Sequence, residues 1–141
     1  MTMSASLSLT VKTARHELER IVEAIENLAE EDDWPHDLLF RVNLVLEELS
    51  LNIMDYGHDD DTSDIEIAFT SEGDSLTIEI VDGGRPFDPL NDAPDPDLTS
   101  GVADRRVGGL GVHFVRTLMD DVRYERSAGK NRLKMVTRKV R

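Results

Sequence analysis

Three groups of residues in this chain have the types and spacing for chemistry. Glu48, Asn52 and Asp55 stand at i, i+4 and i+7 of a stretch with helical periodicity, and such positions stack on one helix face. A carboxylate and a carboxamide one turn apart are hard oxygen groups, suited to Mg²⁺ or to accepting a proton. Acidic residues also suit a solvated helix surface. Asn, however, is a poor helix former, and Asn52 sits among Leu51, Ile53 and Met54, which points to a pocket edge.

The second group is Asp82-Gly83-Gly84, at the end of an apolar strand. It is either an ordinary Asp-Gly turn or a carboxylate aimed into a pocket. In the second case it suits an exocyclic amino group such as that of adenine, and the glycines admit a flat ligand to the backbone. The third group is Gly108-Gly109-Leu110-Gly111, which opens a helix. Free N–H groups and the helix dipole there favour an anion; a flexible hinge is the alternative. The run lacks the Gly-Lys-Ser/Thr of a P-loop. Arg105 and Arg106, just upstream, are either phosphate ligands or solvated loop residues.

The elements that must position these groups follow from periodicity. Ser6–Lys12 alternates apolar and polar residues, as a half-buried edge strand does. Leu18, Ile21, Val22, Ile25 and Leu28 give a helix from Ala14 to about Glu30. Asp33-Trp34-Pro35 starts a second helix, with Asp as cap and Pro in the first turn. That helix runs from His36 to Tyr56 on a core stripe of Val42, Val45, Leu49, Ile53 and Tyr56, and Gly57 ends it. Glu48, Asn52 and Asp55 flank the stripe. Asp64–Thr70 and Ser75–Val81 alternate around a turn and read as a hairpin. Leu90–Val107 is rich in Pro, Asp, Ser and Gly without a period, and so long a loop is more often functional than passive. A helix carrying Leu110, Phe114, Val115 and Leu118 follows, then a closing hairpin of Asp121–Arg126 and Arg132–Lys139. Hairpins with segregated helices predict an α+β, two-layer sandwich. Its sheet is expected to be mixed but mostly antiparallel, with helices on one face. One domain over residues 1–141 is expected, with no repeat.

Composition narrows the function. With 29 acidic and 16 basic residues the net charge is −13, against the basic footprint that nucleic acid binding needs. The chain has no cysteine, so neither a disulfide nor a thiolate metal site is available. No apolar run approaches the ~20 residues of a membrane span, and the N-terminus lacks a secretory pattern. A soluble cytoplasmic protein is expected. Trp34 is expected at the junction of the first two helices, and Met54, Met119 and Met135 in packing roles. His58 reads as a loop histidine without a catalytic part.

Glu48-Leu49-Ser50-Leu51-Asn52, then Asp82-Gly83-Gly84, then Gly108-Gly109-Leu110-Gly111 resemble the N, G1 and G2 boxes of the GHKL ATPase/kinase superfamily. Three boxes in order on suitable elements are far more specific than any one. Arg85-Pro86-Phe87-Asp88-Pro89 and His113–Asp120 look like the stand-alone bacterial anti-sigma-factor serine/threonine kinases of the RsbW and SpoIIAB type. The resemblance covers nearly the whole chain and implies a Bergerat-type ATP-binding fold. By it, Glu48 is the general base, Asn52 the Mg²⁺ ligand, Asp82 the acceptor for the adenine amino group, and Gly84 the residue that makes room. Arg105 and the backbone of Gly109, Leu110 and Gly111 would hold phosphates, with a lid at about residues 90–107. Many family members enter the last strand through a Gly-Thr pair; here the segment is Gly129-Lys130-Asn131-Arg132. The implied partners are a STAS-domain anti-sigma-factor antagonist that is phosphorylated, a sigma factor, and a second copy of the chain in a homodimer. The alternative is an ATP-binding partner-switching module without kinase activity. A protein-interaction domain that keeps the fold without nucleotide is a third reading.

Overall fold

The computed structural model describes residues 4–92 and 112–140. Strand β1 (Ser4–Lys12) leads through a short 3₁₀ turn (Arg15–Glu17) into helix α1 (Leu18–Glu31). Helix α2 (His36–Asn52) follows and widens into a π-helical turn (Ile53–Gly57). Strands β2 (Asp64–Glu72) and β3 (Ser75–Asp82) form a hairpin, and helix α3 (Val112–Leu118) precedes a second hairpin of β4 (Asp121–Ser127) and β5 (Lys130–Arg138). Both turns have two residues. Gly73 in the first and Ala128 and Gly129 in the second have positive φ, the backbone that tight hairpins require.

The five strands lie in the order β1-β2-β3-β5-β4. The α+β sandwich is as expected, but the sheet is antiparallel throughout and not mixed. β3 and β4 do run in the same direction. They never meet, because β5 lies between them and pairs with both.

Strand alternation buries Ile65, Ile67 and Phe69 of β2 and Leu76, Ile78 and Ile80 of β3 on one face. The helices cover that face, with α2 in contact with both α1 and α3. Ile21, Ile25, Val42, Val45 and Leu49 complete a single core. Trp34 bridges α1 and α2 as expected, its Nε1–H donating to Asp32 Oδ2 at 2.8 Å. Asp33 does not cap α2. It takes a left-handed backbone at the end of α1, and Pro35 holds the cap position without a side-chain cap.

The core also encloses charge. Arg41 on α2 is buried, and its guanidinium donates to Thr137 Oγ1 at 2.7 Å and to Asp37 at 2.8 Å. The last strand is thereby tied to the central helix. At the sheet end remote from Asp82, Asp32 Oδ2 accepts from Trp34, Ser71 and Lys139.

Candidate functional site

Helix α2 positions the first two residues. Glu48 is 3 % exposed and Asn52 0 % exposed, whereas Glu47 next to them is exposed. A solvated helix surface is therefore excluded for both. Helical geometry explains the split, since adjacent residues point about 100° apart. The Asn52 amide donates through Nδ2 to the Pro89 carbonyl at 2.8 Å. That bond orients the amide and ties α2 to the segment following β3.

Asp55 does not extend the line. Ile53–Gly57 is a π turn, which takes more residues per turn than an α-helix, so the i+7 relation does not carry through it. Asp55 instead receives a guanidinium fork from Arg15, at 2.8 and 3.2 Å. Its part is to hold the chain after β1 against the end of α2.

The π turn delivers the next residue, His58. This histidine lies in a loop, as expected, but its side chain is only 6 % exposed. Its Nε2 stands 2.9 Å from Asp82 Oδ1. The same oxygen accepts from the Gly84 N–H at 3.0 Å and from Asn131 Nδ2 at 3.2 Å. An oxygen already accepting from two donors has no proton to give, so Nε2–H is the donor. Asp82 is thus a buried acceptor held from three directions, and its bond from the Gly84 N–H is the one an Asp-Gly turn makes.

Asn131 reaches Asp82 because β3 and β5 pair these two residues directly. Its Oδ1 accepts from the Phe87 N–H at 3.1 Å, from Arg126 Nη1 at 3.2 Å and from the Tyr124 hydroxyl. Its Nδ2 also donates to the Arg85 carbonyl at 2.8 Å. Donors gather at one end of the amide and acceptors at the other, which fixes its orientation. Burial pushes the Tyr124 phenol up from its ordinary value, keeping it a protonated donor. The segment after β3 is therefore anchored at Phe87 by Asn131 and at Pro89 by Asn52. Asp88 then closes a turn through the Leu90 N–H at 2.9 Å and Asn91 Nδ2 at 2.7 Å.

Of the expected site residues, the structure brings Glu48 and Asn52 together on α2, and Asp82 and Gly84 together at the end of β3. Arg105, Gly109, Leu110 and Gly111, and the loop from residue 93 to 107, lie outside the described residues. His58 and Asn131 were not singled out from sequence. Asn131 did carry a signal: it shares a strand face with Leu133, Met135 and Thr137, all buried, and an Asn in such a row calls for a partner. His58, in a polar loop, carried none.

The two glycines beside Asp82 differ in kind. A Cβ on Gly84 would stand 2.4 Å from the Gly57 carbonyl oxygen and 2.7 Å from His58 Nε2, whereas one on Gly83 would meet nothing within 4 Å. The room at Gly84 is filled by the protein's own backbone and histidine. Gly84→Ala is expected to cost roughly 1–3 kcal/mol, as overpacking does, and to displace His58 from Asp82. Gly83→Ala should stay within about 0.5 kcal/mol of wild type. Urea unfolding of the two variants side by side checks this; equal stability would contradict it.

A family model described as histidine kinase-like ATPase domain matches residues 3–137. The chain belongs to that family. It is 28% identical over 140 residues to the serine/threonine-protein kinase BtrW of Bordetella bronchiseptica, covering 96% of this chain and 93% of that protein. It is 25% identical over 99 residues to an anti-sigma F factor of a Thermoanaerobacter species, covering 70% of this chain and 68% of the other. Within the family, these relatives put it with the anti-sigma-factor kinase type. The fold also matches the crystal structure of the RsbU and RsbW domains of a Mycobacterium tuberculosis protein, with a TM-score of 0.68 at 14% identity. That match takes in 95% of this chain and 32% of the larger one.

The side chains on α2 fit the metal that such a family implies. Among the described residues no three His, Cys, Asp or Glu side chains gather into an all-protein metal cage. Mg²⁺ seldom uses such a cage; it takes one or two protein oxygens together with substrate phosphates. A buried amide on α2, oriented through its nitrogen, and a buried carboxylate one turn away suit that mode. Among the described residues no helix is long and apolar enough to cross a membrane.

Proposed function

We propose that the chain is a Mg²⁺- and ATP-dependent protein serine/threonine kinase. In this reading it phosphorylates a STAS-domain anti-sigma-factor antagonist and regulates a sigma factor by exchanging the two partners. The observation that carries the reading is the Glu48–Asn52 pair: one turn apart on α2 and both buried, while Glu47 faces solvent. Support comes from the kinase and anti-sigma names of its relatives.

Each residue then has one task. Asp82 accepts from the adenine amino group, and Gly84 lets the chain close behind it. Asn52 is the protein ligand of the metal, which neutralises phosphate charge when bound. Arg105 and the amides of Gly109, Leu110 and Gly111 hold phosphate oxygens, beneath a lid of about residues 90–107. Glu48 accepts the proton of the partner's hydroxyl as its oxygen forms a bond to the γ-phosphorus. The bond from that phosphorus to the β,γ-bridging oxygen breaks, and ADP leaves. Such a transfer needs chiefly positioning and charge neutralisation. We further propose that residues 1–141 act as one cytoplasmic domain, as a homodimer, with no direct part for nucleic acid or membrane.

Incubation with labelled Mg-ATP and a cognate STAS domain tests the reading. Label is expected on a Ser or Thr of that domain; its absence would leave only partner exchange without turnover. Nucleotide binding is tested separately. At 100 times its Kd, ATP should add about 2.7 kcal/mol and raise Tm by roughly 5–10 °C. Asn52→Ala should lose most of the Mg²⁺-dependent part of that rise. An unchanged rise would remove Asn52 from the metal site.

A further inference from the structure

We infer that His58 and Asn131 select the base of the bound nucleotide by fixing which oxygen of Asp82 a ligand can use. The inference rests on the ATP reading above. Its ground is the grouping of three donors on one oxygen. His58 Nε2, the Gly84 N–H and Asn131 Nδ2 all converge on Asp82 Oδ1, at 2.9, 3.0 and 3.2 Å. They come from three separate places: the exit of the π turn, the turn after β3, and β5. Both side-chain donors are themselves enclosed, His58 at 6 % and Asn131 at 2 % exposure.

A carboxylate is acceptor-only when ionised, with about four lone-pair sites on its two oxygens. Three donors consume Oδ1 and stop the group turning about its axis, which leaves Oδ2 as the oxygen for a ligand. A purine with an amino group at position 6 is satisfied there. One with a carbonyl at position 6 sets acceptor against acceptor at that point, which a buried site penalises heavily. Both donors are themselves held in place. Asn131 is held by five partners, including the Phe87 N–H and the Arg85 carbonyl. His58 fits only because Gly84 has no Cβ, which would stand 2.7 Å from its Nε2. A looser carboxylate would rotate, admit water and discriminate less.

Binding of ATP and of ITP, which differs in bearing the 6-carbonyl, tests this by calorimetry. His58→Ala and Asn131→Ala are expected to lower the ATP-over-ITP preference at least about fivefold, chiefly by weakening ATP, since each removes a charge-assisted hydrogen bond. His58→Gln, which keeps an amide donor, should retain most of the preference. A merely structural role would weaken both nucleotides alike, so equal losses would overturn the inference, as would an unchanged ratio. ¹⁵N NMR of His58 in the nucleotide-free wild type supplies a readout independent of binding: protonated Nε2 is expected, and a bare Nε2 would overturn the clamp. Wild-type protein that binds no ATP would overturn the kinase reading and this inference together. Binding with an unaltered ratio in the variants overturns this inference alone.

Discussion

Glu48→Gln is expected to lower phosphoryl transfer to a STAS domain by about 10²–10⁴-fold, the usual worth of a positioned proton acceptor. ATP affinity should change by less than about threefold. The substitution keeps the size of the side chain and removes its capacity to take a proton. It is the sharper choice because Glu48 is 3 % exposed; truncation to Ala would open a cavity and confuse stability with chemistry. Enclosure also bears on what the carboxylate serves. A group so enclosed is poorly placed to activate bulk water, and a partner's hydroxyl must displace what covers it. Slow ATP hydrolysis without a partner is therefore expected in the wild type, with little further loss in Glu48→Gln. Single-turnover transfer and calorimetry on the same samples separate the two effects. Full transfer by Glu48→Gln would remove Glu48 from the reaction. Loss of transfer together with loss of ATP binding would make it a binding residue instead.

Much of this site was legible in the sequence because its residues sit on regular elements. Glu48 and Asn52 are placed by the 3.6-residue period of α2, and Asp82 by the alternation of β3, which buries Leu76, Ile78 and Ile80 ahead of it. What was not legible depends on contacts made across the fold. The π turn at Ile53–Gly57 has no local signature, since its apolar residues also suit a continuing α-helix. Its effects are large: it sends Asp55 to Arg15 and His58 to Asp82. Asn131 lies 49 residues from Asp82. Only the pairing of β3 with β5, which nothing in either strand encodes alone, puts them face to face. The segment Gly129–Arg132, which departs from the usual Gly-Thr, thus still contributes a side chain to the Asp82 pocket.

The opposite end of the sheet carries the second large effect. Lys139→Met is expected to destabilise the fold by about 3–5 kcal/mol, the cost of leaving a buried charge without its partner. For a chain of this size that lowers Tm by roughly 10 °C. Lys139 Nζ stands 3.0 Å from Asp32 Oδ2, with side-chain exposures of 9 % and 1 %. Trp34 and Ser71 donate to the same oxygen, while Asp32 Oδ1 has no hydrogen-bond partner among the described residues. Burial pushes the Asp32 carboxyl up, but the hydrogen bonds from Ser71, Lys139 and Trp34 outweigh it and hold the group below its ordinary value. A carboxyl lowered in the folded state stabilises the fold above its unfolded pKa of about 3.9. That stability is lost as pH falls through the folded value. In Lys139→Met the lowering by Lys139 is lost while burial remains, so the folded carboxyl rises from its wild-type position and protonation relieves the variant. The gap between variant and wild type should therefore be widest near neutral pH and narrow as pH falls through the variant's folded pKa toward that of the wild type. Asp32→Asn in the Lys139→Met background keeps an acceptor for Trp34 and Ser71 without the charge, and should recover most of the loss. A deficit that is independent of pH, or undiminished in the double variant, would mean that Lys139 acts through the packing of its stem and not through its charge.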